Sequence, residues 1–138
     1  PLVLAGGKLY ESKLYESFDT EVAGVVKTGF LSEEELAALY SCCLAFVNLS
    51  KLEGFNIPLL EAANAGAPLV VSDIKVHREV AGENAIFANI LKEGGGKEAI
   101  QEIFNRETRE RMQKEAKICA SRYSAKKSAS KLKNVLLK

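Results

Sequence analysis

Short apolar or β-branched runs alternate along the chain with longer segments whose apolar residues recur at helical spacing. The runs 2–5, 24–28, 44–49, 67–72 and 84–88 each end near Gly, Ser, Asp or Asn, which predicts five short strands. Four of them are nearly continuous in apolar character, the pattern of strands covered on both faces of a parallel sheet. Between them the clearest helix starts at Ser32. Ser32 and Glu35 form a capping box, Leu31 and Leu36 a hydrophobic staple, and Leu36, Leu39, Tyr40 and Cys43 then share one face. An earlier helix is predicted near 9–18, where Tyr10, Leu14 and Phe18 fall four apart. Its residues 8–12 (KLYES) recur as 13–17, a single duplication and not a solenoid period.

Beyond Gly94, Gly95 and Gly96 the pattern is purely helical. Asn105 is placed to cap a helix with Met112, Ala116, Cys119 and Tyr123 on one face, and Ser124 to cap a last one with Ala129, Leu132 and Leu136 aligned. That last segment, 124–138, is basic through Lys126, Lys127, Lys131, Lys133 and Lys138. A solvated face is its first reading; a contact surface for another domain or an anionic membrane is the second. Alternation of strand and helix with short connections implies right-handed crossovers and a doubly wound, Rossmann-like α/β sheet. Ligands in such sheets bind beyond the carboxyl ends of the strands, which points to the loops after Thr28, Leu49, Ser72 and Ala88.

Composition narrows the functional classes. The 138 residues carry 19 Lys and Arg against 18 Asp and Glu, so no charge excess supports a nucleic-acid partner. With 7% aromatic residues and no Trp, little is present for base stacking. A chain of this length is expected to fold as one domain, 1–138. Its apolar runs are far shorter than the roughly 20 residues of a membrane span. It starts at Pro1, directly before an apolar run, and is expected to be a piece of a longer protein. Three cysteines without framework spacing suggest reduced thiols in a cytoplasmic setting, and one His with no C-x-x-C gives no zinc pattern.

One loop concentrates the candidate chemistry: residues 50–62, SKLEGFNIPLLEA. Gly54 allows a backbone conformation that brings amides close to a ligand, and Pro58 suits the first turn of a helix. A strand, a Gly turn and a helix N-terminus together form an anion site, with N–H groups from about Phe55 to Leu60 directed outwards. Glu53 and Glu61 flank it. Phosphate repels a carboxylate, so these two need another task, and accepting hydrogen bonds from sugar hydroxyls is one.

Residues 53–70 (EGFNIPLLEAANAGAPLV) resemble the C-terminal domain of family 4 glycosyltransferases, the retaining GT-B enzymes with an E-x7-E signature. Residues 28–32 (TGFLS) with Glu34-Glu35-Leu36 and Leu39-Tyr40 resemble the family's G-x-v-s…eeL…lY segment. Ser72-Asp73 with Glu79-Val80-Ala81-Gly82 resembles its s-D…E-v-a-G segment. The resemblance covers most of the chain and is densest from Gly29 to Phe87. It implies the nucleotide-sugar-binding half of a GT-B fold, in a hexosyltransferase acting on a polysaccharide, lipopolysaccharide or glycolipid. Glu61 would hold the ribose hydroxyls and Glu53, at the catalytic position, a donor-sugar hydroxyl. Backbone groups of Gly54, Phe55, Asn56, Ile57 and Leu60 would hold sugar and diphosphate oxygens, and Gly29 and Phe30 would lie near the base. Retention would proceed with the leaving phosphate assisting the acceptor, without an enzyme nucleophile, cofactor or metal. Asn56 stands where the family most often has Gly. The family's basic Arg and Lys precede the strand at Leu2, so they and the acceptor-binding N-terminal domain are expected outside this chain, as is any peripheral membrane contact of the full-length protein.

Other residues receive plainer readings. His77 is expected in a turn with a surface or capping role, Lys75 and Arg78 are expected to be solvated, and Asp73 to cap the following turn. Residues 94–99 match G-x-G-x-x-A but follow no strand, so the dinucleotide reading lacks its structural condition. Two rivals remain open at this point: a glycoside hydrolase using Glu53 and Glu61 as acid and base, and a non-catalytic nucleotide-binding or interaction module.

Overall fold

The computed structural model describes residues 1–7 and 23–137; the helix predicted over 9–18, with its repeat, lies outside the described residues. Five strands and six helices are found there. The strands are β1 (Leu2–Ala5), β2 (Val25–Gly29), β3 (Phe46–Asn48), β4 (Leu69–Ser72) and β5 (Ile86–Ala88). The helices are α1 (Glu33–Cys42), α2 (Ile57–Ala65), α3 (Lys75–Ala81), α4 (Gly95–Glu102), α5 (Arg106–Ser121) and α6 (Ala125–Leu136). Two compact units divide the chain, Pro1–Ala38 and Leu39–Lys138.

In the first unit β1 pairs with β2 in parallel, Leu2 opposite Val25, with the register shifting between Leu4 and Ala5. Gly29 ends β2 at a φ of 67°, and the Phe30 ring lies over Gly7 so closely that a Cβ there would collide with it. The capping box opens α1 as the spacing predicts. Ser32 N donates to Glu35 Oε2 at 2.8 Å, and Glu35 N to Ser32 Oγ at 3.2 Å. The Ser32 N–H on the carboxylate, and after it the Ser32 hydroxyl, favour the charged form and hold Glu35 below its ordinary pKa.

The second unit is built on the parallel ladder β3-β4-β5. The central strand is β4, and all four of its residues are buried. Burying each Val or Leu there is worth about 1.5–3 kcal/mol. A ladder that steps in one direction with right-handed crossovers carries its connecting helices on one face. Accordingly α5 packs against both α2 and α3, while α4 packs on β5 and β4. Ala62 and Ala63 of α2 and Ala116 of α5 are fully buried, and their small side chains let the helices approach closely. Val70, Ile86, Ala88, Ala99, Ile103 and Met112 form one core cluster.

Strand β3 is shorter than the predicted 44–49. Asn48 explains the early end: its Oδ1 accepts from Ser50 N at 2.9 Å, a local turn that replaces the ladder. Among the described residues the strands form the ladders β1-β2 and β3-β4-β5. Asn105 and Ser124 cap α5 and α6 through Thr108 N and Lys127 N, as their positions predict. Met112, Ala116 and Cys119 are buried on α5. On α6 the apolar residues Leu132, Val135 and Leu136 stay exposed. None of the described helices is long and apolar enough to cross a membrane.

Candidate functional site

Because β3 and β4 run in parallel, Asn48 and Ser72 end their strands at the same edge of the sheet, and the segment from Ser50 to Asn56 leaves from there. Glu53 is half-buried and held from two sides. Its Oε1 accepts from Ser50 Oγ at 2.6 Å and from Asn48 Nδ2 at 3.3 Å. Oε2 has no protein partner among the described residues, so one carboxylate oxygen remains for a ligand hydroxyl.

The special backbone conformation of this loop belongs to Asn56 and not to Gly54. Gly54 has no positive φ, although a Cβ added there would meet nothing within 4 Å. Asn56, by contrast, takes φ 68° and ψ 68°, the left-handed region that Asn tolerates better than most residues. It starts α2 from that position. Its Oδ1 and its carbonyl both receive the Leu59 N–H, at 3.2 and 3.1 Å. The first turn then presents Ile57 and Pro58 before Leu59. Leu59 N–H is therefore not outward-facing and Pro58 has none, which narrows the outward set predicted over 55–60. The N–H groups of Gly54, Phe55 and Ile57 have no protein partner among the described residues. Phe55 and Ile57 are exposed, and Leu60 is half-buried. Together with the α2 dipole, these amides favour an anion.

His77 is not in a surface turn. It lies in α3, fully buried, with Val80 and Ala81 on the same face. Its Nε2 is 2.9 Å from Asn56 Nδ2, and its Nδ1 is 3.0 Å from both the carbonyl and the Oγ of Ser72. A carbonyl can only accept, so Nδ1 carries the hydrogen and Nε2 accepts from the Asn56 amide. Ser72 Oγ in turn donates to the Ser50 carbonyl. Sequence reasoning missed His77, Ser72, Ser50 and Asn48. The spacing of His77 with Val80 and Ala81 is the signal that could have found the first.

Asp73 does not cap the next helix, whose cap residue Ile74 makes no side-chain bond. Its carboxylate is taken instead by Arg78, through Nε at 2.7 Å and Nη2 at 2.9 Å. That pairing keeps Asp73 below its usual pKa. Arg78 is partly exposed and stacks over the Phe87 ring at 3.9 Å, while Lys75 is exposed as expected. Glu61 is exposed on α2 near Tyr40. Burial first, and the Glu61 charge second, push the Tyr40 phenol above its ordinary pKa. Glu53, Gly54, Phe55, Asn56, Ile57, Leu60 and Glu61 thus belong to one loop and helix start, whereas Gly29 and Phe30 belong to the first unit, at the end of β2. No group of three or more His, Cys, Asp or Glu side chains gathers as a metal site among the described residues.

Residues 1–118 match the family described as glycosyl transferases, group 1. Serotype-specific mannosyltransferase WbdA of Escherichia coli is 42% identical over 76 residues, 54% of this chain and 9% of that protein. O-antigen chain mannosyltransferase B of Escherichia coli is 33% identical over 92 residues, covering 64% and 24%. O-antigen chain mannosyltransferase RfbU of Salmonella typhimurium is 41% identical over 80 residues, covering 56% and 23%. The chain therefore spans at most about a quarter of the length of these relatives. Among solved structures, a chain of the GtfA/B complex superposes with a TM-score of 0.76 at 20% identity, over 98% of this chain and 29% of that one. That likeness establishes the fold as Rossmann-like α/β of the GT-B type.

Proposed function

The chain belongs to the group 1 glycosyltransferases, and on that basis we propose that it is the donor-binding domain of a retaining enzyme that transfers a sugar from a nucleoside diphosphate to a growing polysaccharide. The observation that carries the reading is the loop between β3 and α2. It sets a fixed carboxylate with one open oxygen beside unpaired amides at a helix N-terminus. A nucleoside diphosphate sugar offers the matching groups: a diphosphate for the amides and α2 dipole, a sugar hydroxyl for Glu53 Oε2, and ribose hydroxyls for Glu61. Gly54, with open space where a side chain would stand, leaves room for the sugar. The mannosyltransferase relatives support mannose as the sugar and an O-antigen type glycan as the acceptor.

In this reading the protein's main electrostatic task is to stabilise the charge that collects on the departing diphosphate. The N–H groups of Phe55 and Ile57 sit where that charge develops, and the reaction calls for no enzyme nucleophile or metal. Acceptor binding, Arg and Lys groups that complete the diphosphate site, and any membrane contact fall to parts of the full-length protein outside this chain, on the cytoplasmic side. The hydrolase rival needs a raised carboxyl pKa to supply a proton and gives the helix N-terminus no task.

Ligand-observed NMR with UDP, GDP, ADP and their mannose conjugates tests the proposal. One nucleotide is expected to bind selectively, and Glu61→Ala is expected to weaken it at least about tenfold, the loss of hydrogen bonds to a charged group. Unchanged affinity in Glu61→Ala overturns the ribose assignment.

A further inference from the structure

Five side chains at the carboxyl edge of β3 and β4 form one directed run of hydrogen bonds. Asn56 Nδ2 donates to His77 Nε2, His77 Nδ1 to the Ser72 carbonyl and Oγ, Ser72 Oγ to the Ser50 carbonyl, and Ser50 Oγ to Glu53 Oε1. Each hydrogen has one direction, because the Ser72 and Ser50 carbonyls and the Glu53 carboxylate can only accept. The two ends of the loop, Ser50 and Asn56, are thereby tied to one imidazole on α3.

We infer that His77 is the positioning residue of the donor loop: as a buried Nδ1–H imidazole it clamps Asn56 directly and Ser50 through Ser72, and so sets the amides of Phe55 and Ile57 and the carboxylate of Glu53 for the diphosphate sugar. The inference rests on the donor-site reading above. Asn56 needs such a hold, since a non-glycine residue at φ 68° persists only where its surroundings fix it. Among the described residues it is the one non-glycine with positive φ. Its side chain is used twice, with Oδ1 on Leu59 N and Nδ2 on His77, so both amide atoms are committed and the residue cannot flip without losing one bond. His77 touches no ligand in this scheme. It acts through Asn56 and Ser72.

The two nitrogens of His77 can be replaced separately. Gln is long enough to place an acceptor near Nε2, whereas Asn donates near Nδ1 and leaves the Asn56 amide unpaired. The test uses the 15N-labelled chain as wild type, His77→Gln and His77→Asn, reading the amide positions of Phe55 and Ile57 and the dissociation constants for UDP, GDP and ADP. His77→Asn is expected to displace both amides and weaken the bound nucleotide about tenfold, the effect of stranding one buried donor. His77→Gln is expected to recover the amide positions and return affinity to within about threefold of wild type. A loss of stability alone would not be repaired selectively in this loop. Unmoved Phe55 and Ile57 amides in His77→Asn, or equal defects in Asn and Gln, overturn the inference. If neither His77 variant folds, Asn56→Gly keeps the left-handed backbone without the amide, and the same two signals decide: displaced amides support the clamp and unmoved ones overturn it. A wild-type chain that binds no nucleoside diphosphate contradicts the donor reading alone, while the amide positions still judge His77.

Discussion

Ser50 Oγ lies 2.6 Å from Glu53 Oε1, a bond that fixes one carboxylate oxygen and leaves the other without a protein donor among the described residues. A carboxylate that is both held and half-open can discriminate between a bare nucleotide and its sugar conjugate. Replacing Glu53 by Gln preserves an acceptor for Ser50 but removes the charge. Affinity for a nucleoside diphosphate mannose is expected to fall about tenfold in Glu53→Gln, with the bare diphosphate unchanged or bound more tightly. Isothermal calorimetry with the two ligands reads the difference directly; equal losses for both would remove Glu53 from the sugar.

Tyr40 reports on Glu61. Its phenol is raised by burial and further by the Glu61 charge. Glu61→Gln removes the second cause, so the Tyr40 phenol is expected to titrate lower than in wild type yet still above the ordinary value. The folded chain holds this proton more tightly than the unfolded one, so stability is fully present below the unfolded pKa of about 10 and falls as pH rises above it. Ultraviolet titration of Tyr40 in both proteins, with a Tyr40→Phe control, measures the shift.

Gly82 closes α3 at φ 63° and ψ −127°, a region open only to glycine. A Cβ there would also stand 2.6 Å from Arg122 Nη1. The arginine can move, but the backbone cannot. Gly82→Ala is expected to cost about 1–3 kcal/mol in urea unfolding, and Arg122→Ala is not expected to restore it.

The thiols should separate by access. Cys42 is exposed, Cys43 half-buried with its thiol pushed up by burial and then by Cys42, and Cys119 buried with its thiol likewise raised by burial. Alkylation followed by mass spectrometry is expected to mark Cys42 first and Cys119 last. Early labelling of Cys119 would mean that α5 does not stay seated on α3.

What could be read from the chain alone follows the range of each interaction. The capping box of Ser32 and Glu35, the caps Asn105 and Ser124, and Pro58 at the start of α2 are settled by residues within four positions, and each stands where the spacing predicts. The same holds for β4, whose unbroken apolar run is buried throughout. His77 was illegible in that sense, because its partner Asn56 is 21 positions away, beyond β3, and meets it only when β3 and β4 pair. Asn56 was misjudged for a related reason. Glycine is the usual guess for a left-handed residue, yet Gly54 is unstrained, and the His77 and Leu59 bonds let Asn56 take that conformation. The inward pull of Asn48 on Ser50 likewise shortened β3 beyond what its apolar pattern suggests.

The central claim, that the β3–α2 loop is a donor site, is tested most directly by mapping the amide shifts of the 15N-labelled chain during titration with the nucleotide that binds. The account predicts shifts concentrated on Gly54, Phe55, Ile57 and Glu61, saturating together and lost in Glu61→Ala. Saturable binding with shifts elsewhere and none in this loop would contradict it.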